Sequence, residues 1–300
     1  MRFRFDIIAL AALALPTFAS TAQATPFTGP VSAFYLDGYA TQRIYVVRGT
    51  SVTNSFAPNA GTGAYHDARL AVTSTVNTVG FGSGLGAGSG GQYSLTGTPT
   101  GVTYAASPTP GYSGEILYDG TSDGAHNYSV QYSTQSGGTH SVIRYGLDWQ
   151  NPTALFHVAN GSRAIAYDPT NNSLWVGNND TSVMSDFALD GTLLSQFTAT
   201  GGINALGYDA ADNTLWYSYN LSSTLKQYST SGTLLQSGTI SGLPNGGLAS
   251  GDFIESGASP AGVPEPASLA LLGMGAAALA TLRRRHSTRC RSAAPIPATD

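Results

Sequence analysis

Lysine is almost missing from this chain: Lys226 is the only one in 300 residues, and the four charged residue types together make up just 10%. A surface that grips a phosphate backbone needs clustered cations. Between Thr25 and Val263 there are six (Arg43, Arg48, Arg69, Arg144, Arg163 and Lys226) against fourteen acids, a balance of −8 that argues against nucleic acid as a partner. Cysteine is as scarce. The only one, Cys290, lies near the end, so no disulfide can form within the chain and stability has to come from apolar burial and backbone pairing. Glutamate is thin too, with Glu115 and Glu255 alone between Thr25 and Val263, which leaves no obvious carboxylate pair for glycoside hydrolysis. Finally, no 3.6-residue apolar period is sustained before residue 267, so the body of the chain is not helical.

What fills the body is glycine, serine, threonine, asparagine and tyrosine, arranged as short apolar or alternating runs between turn residues. Val31–Leu36, Arg43–Val47, Ala68–Val72, Glu115–Tyr118, Tyr128–Tyr132 and Ser141–Tyr145 read as strands. The fold class is all-β. A repeat runs through the second half: Ala164–Trp175 aligns with Ala205–Trp216, and Gly191-Thr-Leu-Leu with Gly232-Thr-Leu-Leu, both offset by 41 residues without a gap. Each unit reads as a strand ending in Tyr-Asp, a polar turn, a strand carrying Leu-Trp, a third strand near Phe187 or Tyr228, a glycine turn and a fourth strand. Asp and Asn bond their own backbone in such turns, and glycine supplies the positive φ that a hairpin needs.

Four strands in about 41 residues match one blade of a β-propeller, and a blade buries its faces only when neighbours stack on it. Weaker echoes, Leu36-Asp37 before Ile44-Tyr45 and Tyr118-Asp119 before Tyr128-Ser129, extend the series, with a degenerate unit expected between Asp37 and Asp119. Gly247–Asp252 reads as a closing strand that pairs with the N-terminal region. The expectation is a propeller of five or six four-stranded blades over residues 25–255, with a β-sandwich or an irregular β-solenoid as the alternatives. The glycine-alternating stretch from Gly80 to Gly91 is too loose to set a register and is expected to be a long mobile loop.

Both ends read as addresses. Arg2 and Arg4, the apolar Ile7–Leu15 and the small-residue site Ala22-Gln23-Ala24 form a secretory signal peptide over residues 1–24. At the other end, a Gly/Ser/Pro tether (256–262) leads to Val263-Pro264-Glu265-Pro266, an uncharged apolar run from Ala267 to Leu282, and Arg283-Arg284-Arg285. A helix over residues 267–282 rises roughly 24 Å, a little short of the ~30 Å hydrocarbon thickness, and spans if the bilayer thins or its flanks snorkel. The arginines hold that side in the cytoplasm, so the body faces outward and residues 286–300 form a cytoplasmic tail.

Pro264-Glu265-Pro266, the run containing Leu271-Leu272-Gly273 and the arginine cluster together closely resemble the PEP-CTERM sorting signal over residues 263–285. The resemblance implies export in a diderm bacterium, an inner-membrane-anchored precursor, and processing near Pro264–Pro266 by a membrane-embedded exosortase. It further implies a surface or extracellular-matrix protein associated with exopolysaccharide or biofilm. A generic single-pass anchor is the alternative reading of the same stretch.

Candidate chemistry in the body is sparse. Gly86–Gly91 spells G-x-G-x-x-G, yet no helix follows to hold a pyrophosphate, so it is read as a loop. Gly120-Thr-Ser122-Asp-Gly124 spells G-x-S-x-G, but a strand follows where a nucleophile elbow needs a helix; a polar hairpin fits better, and a calcium loop lacks its spacing and its distal Glu. His66, His126, His140 and His157 show no metal-ligand spacing. Trp175 and Trp216 occupy equivalent repeat positions and are expected to pack between blades, whereas Trp149 lies outside the repeat and is the candidate ligand platform. No cofactor and no metal are expected, and the chain is read as non-enzymatic, with a structural or interaction role. A carbohydrate-binding propeller and a secreted propeller hydrolase or lyase are the rivals; the latter requires His and Asp side chains to converge at the channel.

Overall fold

The computed structural model describes residues 26–38, 40–58, 69–80, 89–105, 115–133 and 140–254. The signal segment with Ala22 and Ala24, the tether, the sorting segment with its 267–282 helix and the 286–300 tail lie outside the described residues.

Among the described residues twenty strands form five antiparallel four-stranded sheets, so the ring has five blades. Blade 1 holds β1 (Phe34–Gly38), β2 (Arg43–Arg48), β3 (Ser51–Phe56) and, from the far end of the chain, β20 (Leu248–Phe253). Blade 2, the degenerate unit, is β4 (Arg69–Val72), β5 (Val76–Val79), β6 (Ser89–Tyr93) and β7 (Pro99–Ala105). Blade 3 is β8 (Glu115–Ser122), β9 (Asn127–Ser133), β10 (His140–Tyr145) and β11 (Thr153–Val158). The clean repeat makes the last two: blade 4 from β12 (Ser162–Asp168), β13 (Ser173–Asn178), β14 (Val183–Ala188) and β15 (Leu193–Thr198), and blade 5 from β16 (Ile203–Asp209), β17 (Thr214–Tyr219), β18 (Thr224–Ser229) and β19 (Leu234–Thr239).

The first strand of each of blades 2 to 5, and β20 in blade 1, line the axis and pack on one another in the order β20, β4, β8, β12, β16 and back to β20. Position in the blade sets composition. Inner strands meet neighbours on every side and are buried along their length, as in β16 and β20, while the outermost strands β7, β15 and β19 are mostly exposed and rich in Ser, Thr and Gln.

The apolar residues gather into five clusters, one for each interface between adjacent blades. Trp175 sits between blades 4 and 5 with Met184, Leu206 and Leu215, and Trp216 sits between blades 5 and 1 with Phe34, Leu36 and Phe253. Both rings are 1% exposed, as the repeat predicts. A single blade has nothing to press these rings against, so the ring of blades is the smallest unit that buries them.

The turns follow the sequence signals. Asp168 Oδ1 accepts from the Thr170 N–H at 2.8 Å, and Asp209 Oδ1 from Ala211 N–H at 3.1 Å. Gly191 and Gly232 take φ of 87° and 88° in the β14–β15 and β18–β19 hairpins, a region that costs a side chain energy. The strand expected at Gly247–Asp252 does close the ring: β20 pairs with β1 along Phe34↔Phe253 to Gly38↔Leu248.

Two expectations change. The glycine stretch is not loop throughout, because Ser89, Gly90 and Gly91 enter β6 and pair with β5 and β7; residues 81–88 lie outside the described residues. A Cβ on Gly90 would stand 1.8 Å from the Thr78 carbonyl oxygen, so glycine here permits a close backbone approach. The echoes at Asp37 and Asp119 are also out of phase with the repeat. Asp37 lies on β1, the second strand of its blade, and Asp119 lies three residues before the end of β8, whereas Asp168 and Asp209 end their strands. The hairpin that matches Asp168↔Ser173 in blade 3 is Ser122↔Asn127.

Ring closure by β20 makes a direct prediction. Deleting residues 248–253 exposes the inner edge of β1 and strips Leu248 and Phe253 from the blade 5–blade 1 cluster, so the cooperative thermal transition and near-UV circular dichroism of the parent protein should both be lost.

Candidate functional site

The phase error puts a carboxylate where the repeat has an aliphatic side chain. Asp119 occupies the level of Ile165 in β12 and Leu206 in β16, and it is fully buried at the axis. Inner strands present backbone N–H groups there, and Asp119 collects them. Its Oδ2 accepts from the Ile165 N–H at 3.1 Å and the Leu206 N–H at 3.0 Å. Its Oδ1 accepts from the Gly251 N–H at 3.0 Å, its neighbour Gly120 N–H at 2.9 Å and the Ser250 hydroxyl at 2.7 Å. Ser250 Oγ in turn accepts the Leu70 N–H at 3.1 Å, so one carboxylate reaches the inner strands of all five blades.

A second layer lies one step along the axis. Asp252 accepts from the Val72 N–H at 2.8 Å and from Thr121 Oγ1 at 3.1 Å, and Thr121 Oγ1 accepts the Tyr167 N–H at 3.1 Å. Burial opposes the charge on Asp119 and pushes its pKa up to about 8, against the downward pull of the hydrogen bonds from Ser250, Gly251, Ile165 and Leu206. Every donor here already has its acceptor on the protein. The arrangement ties strands together and leaves neither oxygen of Asp119 turned toward solvent.

The residues singled out in the sequence do not converge on this point. His126 stands in the β8–β9 hairpin beside Asp123, with Nδ1 to Oδ2 at 3.5 Å. His140 opens β10, where burial lowers its pKa below the usual imidazole value. His157 lies on the outer strand β11 with its Nδ1 3.0 Å from Ser141 Oγ. All three belong to blade 3, one in a hairpin and two on different strands, and His66 lies outside the described residues. Glu115 begins β8, and Glu255 falls outside. The Gly120–Gly124 segment is a polar hairpin: Asp123 Oδ1 accepts the N–H groups of Ala125 and His126 at 2.8 and 2.6 Å, and Tyr128 donates to Asp123 Oδ2 at 2.6 Å. Among the described residues no group of three or more His, Cys, Asp or Glu could hold a metal ion.

Trp149 is not open. Its ring is 0% exposed and packs between blades 2 and 3 with Tyr145, Ile143 and Ala71, under the Arg69 guanidinium at 5.7 Å. A Cβ on Gly120 would come 2.9 Å from its Cη2, so the buried indole packs tightly against β8 and has no face left for a ligand. The tight turn from Gly146 to Gln150 swings it inward: Gly146 N–H donates to the Gln150 carbonyl at 2.8 Å, and Trp149 takes a φ of 58°.

The fold is therefore a five-bladed β-propeller with a polar, protein-filled axis. The chain carries the PEP-CTERM protein-sorting motif at residues 262–285, the segment holding Val263, Pro264, Glu265, Pro266, Arg283, Arg284 and Arg285. That motif marks an exported, membrane-anchored precursor sorted by an exosortase to the cell surface. Among the described residues no helix is long and apolar enough to cross a membrane. No curated protein matches the chain. Among solved structures it is similar to a protein of unknown function from Bacteroides caccae, at 10% identity over 69% of this chain and 73% of that one, with a TM-score of 0.44. It is similar also to a chain of a nidogen/laminin complex (12%, 74% and 97%, TM-score 0.47) and to a luciferin-regenerating enzyme (14%, 74% and 80%, TM-score 0.46).

Nothing in the Tyr118-Asp119 letters marks the axial carboxylate, since they imitate the turn of the repeat. The available signal was phase: once Asp123-Gly124 is taken as the turn, Asp119 falls on a core position, and a lone acid there needs donors. Three outcomes are expected. Asp119→Asn turns an amide NH2 toward backbone donors and should lower the unfolding free energy by roughly 3 kcal/mol in urea titrations. The folded pKa lies near 8 and the unfolded near 3.9, so the stability contributed by this group is whole below about 4 and lost as pH rises through about 8; the wild-type advantage over Asp119→Asn should shrink between pH 5 and pH 9. Trp149→Ala should cost about 3–5 kcal/mol by opening a cavity between blades 2 and 3, read as a lowered urea midpoint.

Proposed function

We propose that this protein is a non-catalytic component of the extracellular matrix, held in the inner membrane by its C-terminal segment until an exosortase releases it near Pro264–Pro266, and then retained among exopolysaccharide. The observation that carries the proposal is the PEP-CTERM motif at residues 262–285, which sets the destination. The body suits that destination. It needs no disulfide, it presents few charges, and the axial carboxylates Asp119 and Asp252 are occupied by donors from the protein itself. The placement of His126 in a hairpin, His140 on β10 and His157 on the outer strand β11, all away from the axis strand β8, supports a binding or structural role in preference to a hydrolase or lyase centred on the channel.

The test is to recover the protein from cells with and without the exosortase and to measure its C-terminus by mass spectrometry and its partition between membrane and polymer. Expected with the enzyme is a product cut near Pro264–Pro266 that fractionates with exopolysaccharide. Expected without it is a full-length product in the inner membrane. Retention of residues 267–282 in both strains, or a cut product that washes free of the polymer, overturns the proposal.

A further inference from the structure

Strands β13–β15 of blade 4 and β17–β19 of blade 5 have identical register at the 41-residue offset, and the first hairpins of the two blades differ in where a bulge falls. Leu174↔Phe187, Val176↔Ser185 and Asn178↔Ser162 in one match Leu215↔Tyr228, Tyr217↔Lys226 and Tyr219↔Ile203 in the other. Any difference in the space beside these three strands is therefore a difference of side chains. Beside blade 5 the groove that faces blade 4 is full. Tyr217 stacks near Tyr228 with centroids 5.8 Å apart, and its hydroxyl donates to the Thr200 carbonyl at 2.9 Å. Lys226 Nζ lies 4.0 Å from the Tyr219 ring centroid and donates to the same carbonyl at 3.1 Å.

In blade 4 each of these groups is cut back. Val176 stands for Tyr217, Asn178 for Tyr219, Ser185 for Lys226, Phe187 for Tyr228 and Ala159 for Thr200. The groove facing blade 3 is accordingly a cleft of about 310 Å³, lined by all five of these residues. Its apolar floor includes Phe187, whose ring is braced by Phe156 at 5.3 Å, as Tyr228 is by Phe197. Around it stand the amide side chains of Asn178 and Gln196 and the hydroxyls of Ser162, Thr181 and Ser185. None of the lining side chains is ionisable.

We propose that this cleft between blades 3 and 4 binds one neutral sugar ring of a polysaccharide chain, in the space that the tyrosines and the lysine fill in blade 5. The volume is at the small end of ligand sites, enough for a ring and too small for an extended oligomer. The lining is chemically matched to a pyranose: an aromatic and aliphatic floor takes the C–H face, while the Gln196 amide and the hydroxyls serve as both donors and acceptors for sugar hydroxyls, the Asn178 amide being held by the Asn160 carbonyl and the Asp180 and Thr181 N–H groups. The lack of charge selects against uronate and amino sugars, whose charge would be desolvated without a partner. The inference rests on the matrix role proposed above and supplies its point of contact with exopolysaccharide.

The experiment uses the exported protein purified from cells and ligand-observed NMR with methyl glucoside, methyl galactoside, methyl mannoside and N-acetylglucosamine, with glucuronate and p-cresol as contrasts. Val176→Tyr/Ser185→Lys rebuilds the blade 5 packing in blade 4. It should fold with an unchanged or higher melting temperature and bind the neutral sugar at least about tenfold more weakly. Gln196→Ala, a change on the exposed strand β15, should weaken binding about fivefold through one lost hydrogen bond. Absence of binding by every neutral sugar, equal binding by wild type and double variant, or a preference for glucuronate or p-cresol overturns the assignment. If the double variant still fractionates with exopolysaccharide as wild type does, the cleft fails and the matrix role stands. If free sugar enters the cleft while the wild-type protein washes off the polymer, the matrix role fails alone.

Discussion

One buried carboxylate meets the central constraint of this ring. Five inner strands converge on the axis, and each turns backbone N–H groups inward that need acceptors once water is gone. Asp119 answers for β12, β16 and β20 directly and for β4 through Ser250, while its own strand supplies the Gly120 N–H. Backbone pairing holds each blade together, and apolar contact holds neighbouring blades face to face. Among the described residues the axial network joins all five at one point, and it does so with hydrogen bonds in a place where water cannot compete.

The ring's closure depends on the same network. β20 comes from the end of the described chain, pairs with β1 and brings Ser250, Gly251 and Asp252 to the axis, so the last strand to be made carries three of the groups that the earlier strands need. Trp149 then fills the interface between blades 2 and 3 against Gly120. An aromatic outside the repeat thus has the same structural task, filling a blade interface, as the two aromatics within it.

Repetition also separates what architecture demands from what it leaves open. Between blades 4 and 5 the Tyr-Asp turn, the Leu-Trp strand and the positive-φ glycines persist, because turn geometry and the inter-blade core leave little latitude at those positions. The faces turned toward the preceding blade do differ, with Tyr217, Tyr219 and Lys226 in one and Val176, Asn178 and Ser185 in the other. A blade already anchored by its core and the axis can lose bulk there without losing its place, and the resulting space is where the chain has room for chemistry of its own.

Much was legible in advance. An all-β body, the 41-residue blades, burial of Trp175 and Trp216, closure through Gly247–Asp252 and the sorting motif all rest on local signals: turn residues, period, and an apolar run between a Pro-Glu-Pro and arginines. The role of Asp119, the burial of Trp149, the β6 pairing of Gly90 and Gly91, and the cleft beside blade 4 were decided only in three dimensions. Each depends on which strand from a distant part of the chain arrives alongside, and hence on whether a side chain meets water, a donor or another ring. Letter patterns record what a residue does to its own backbone; they do not record its neighbours across a ring.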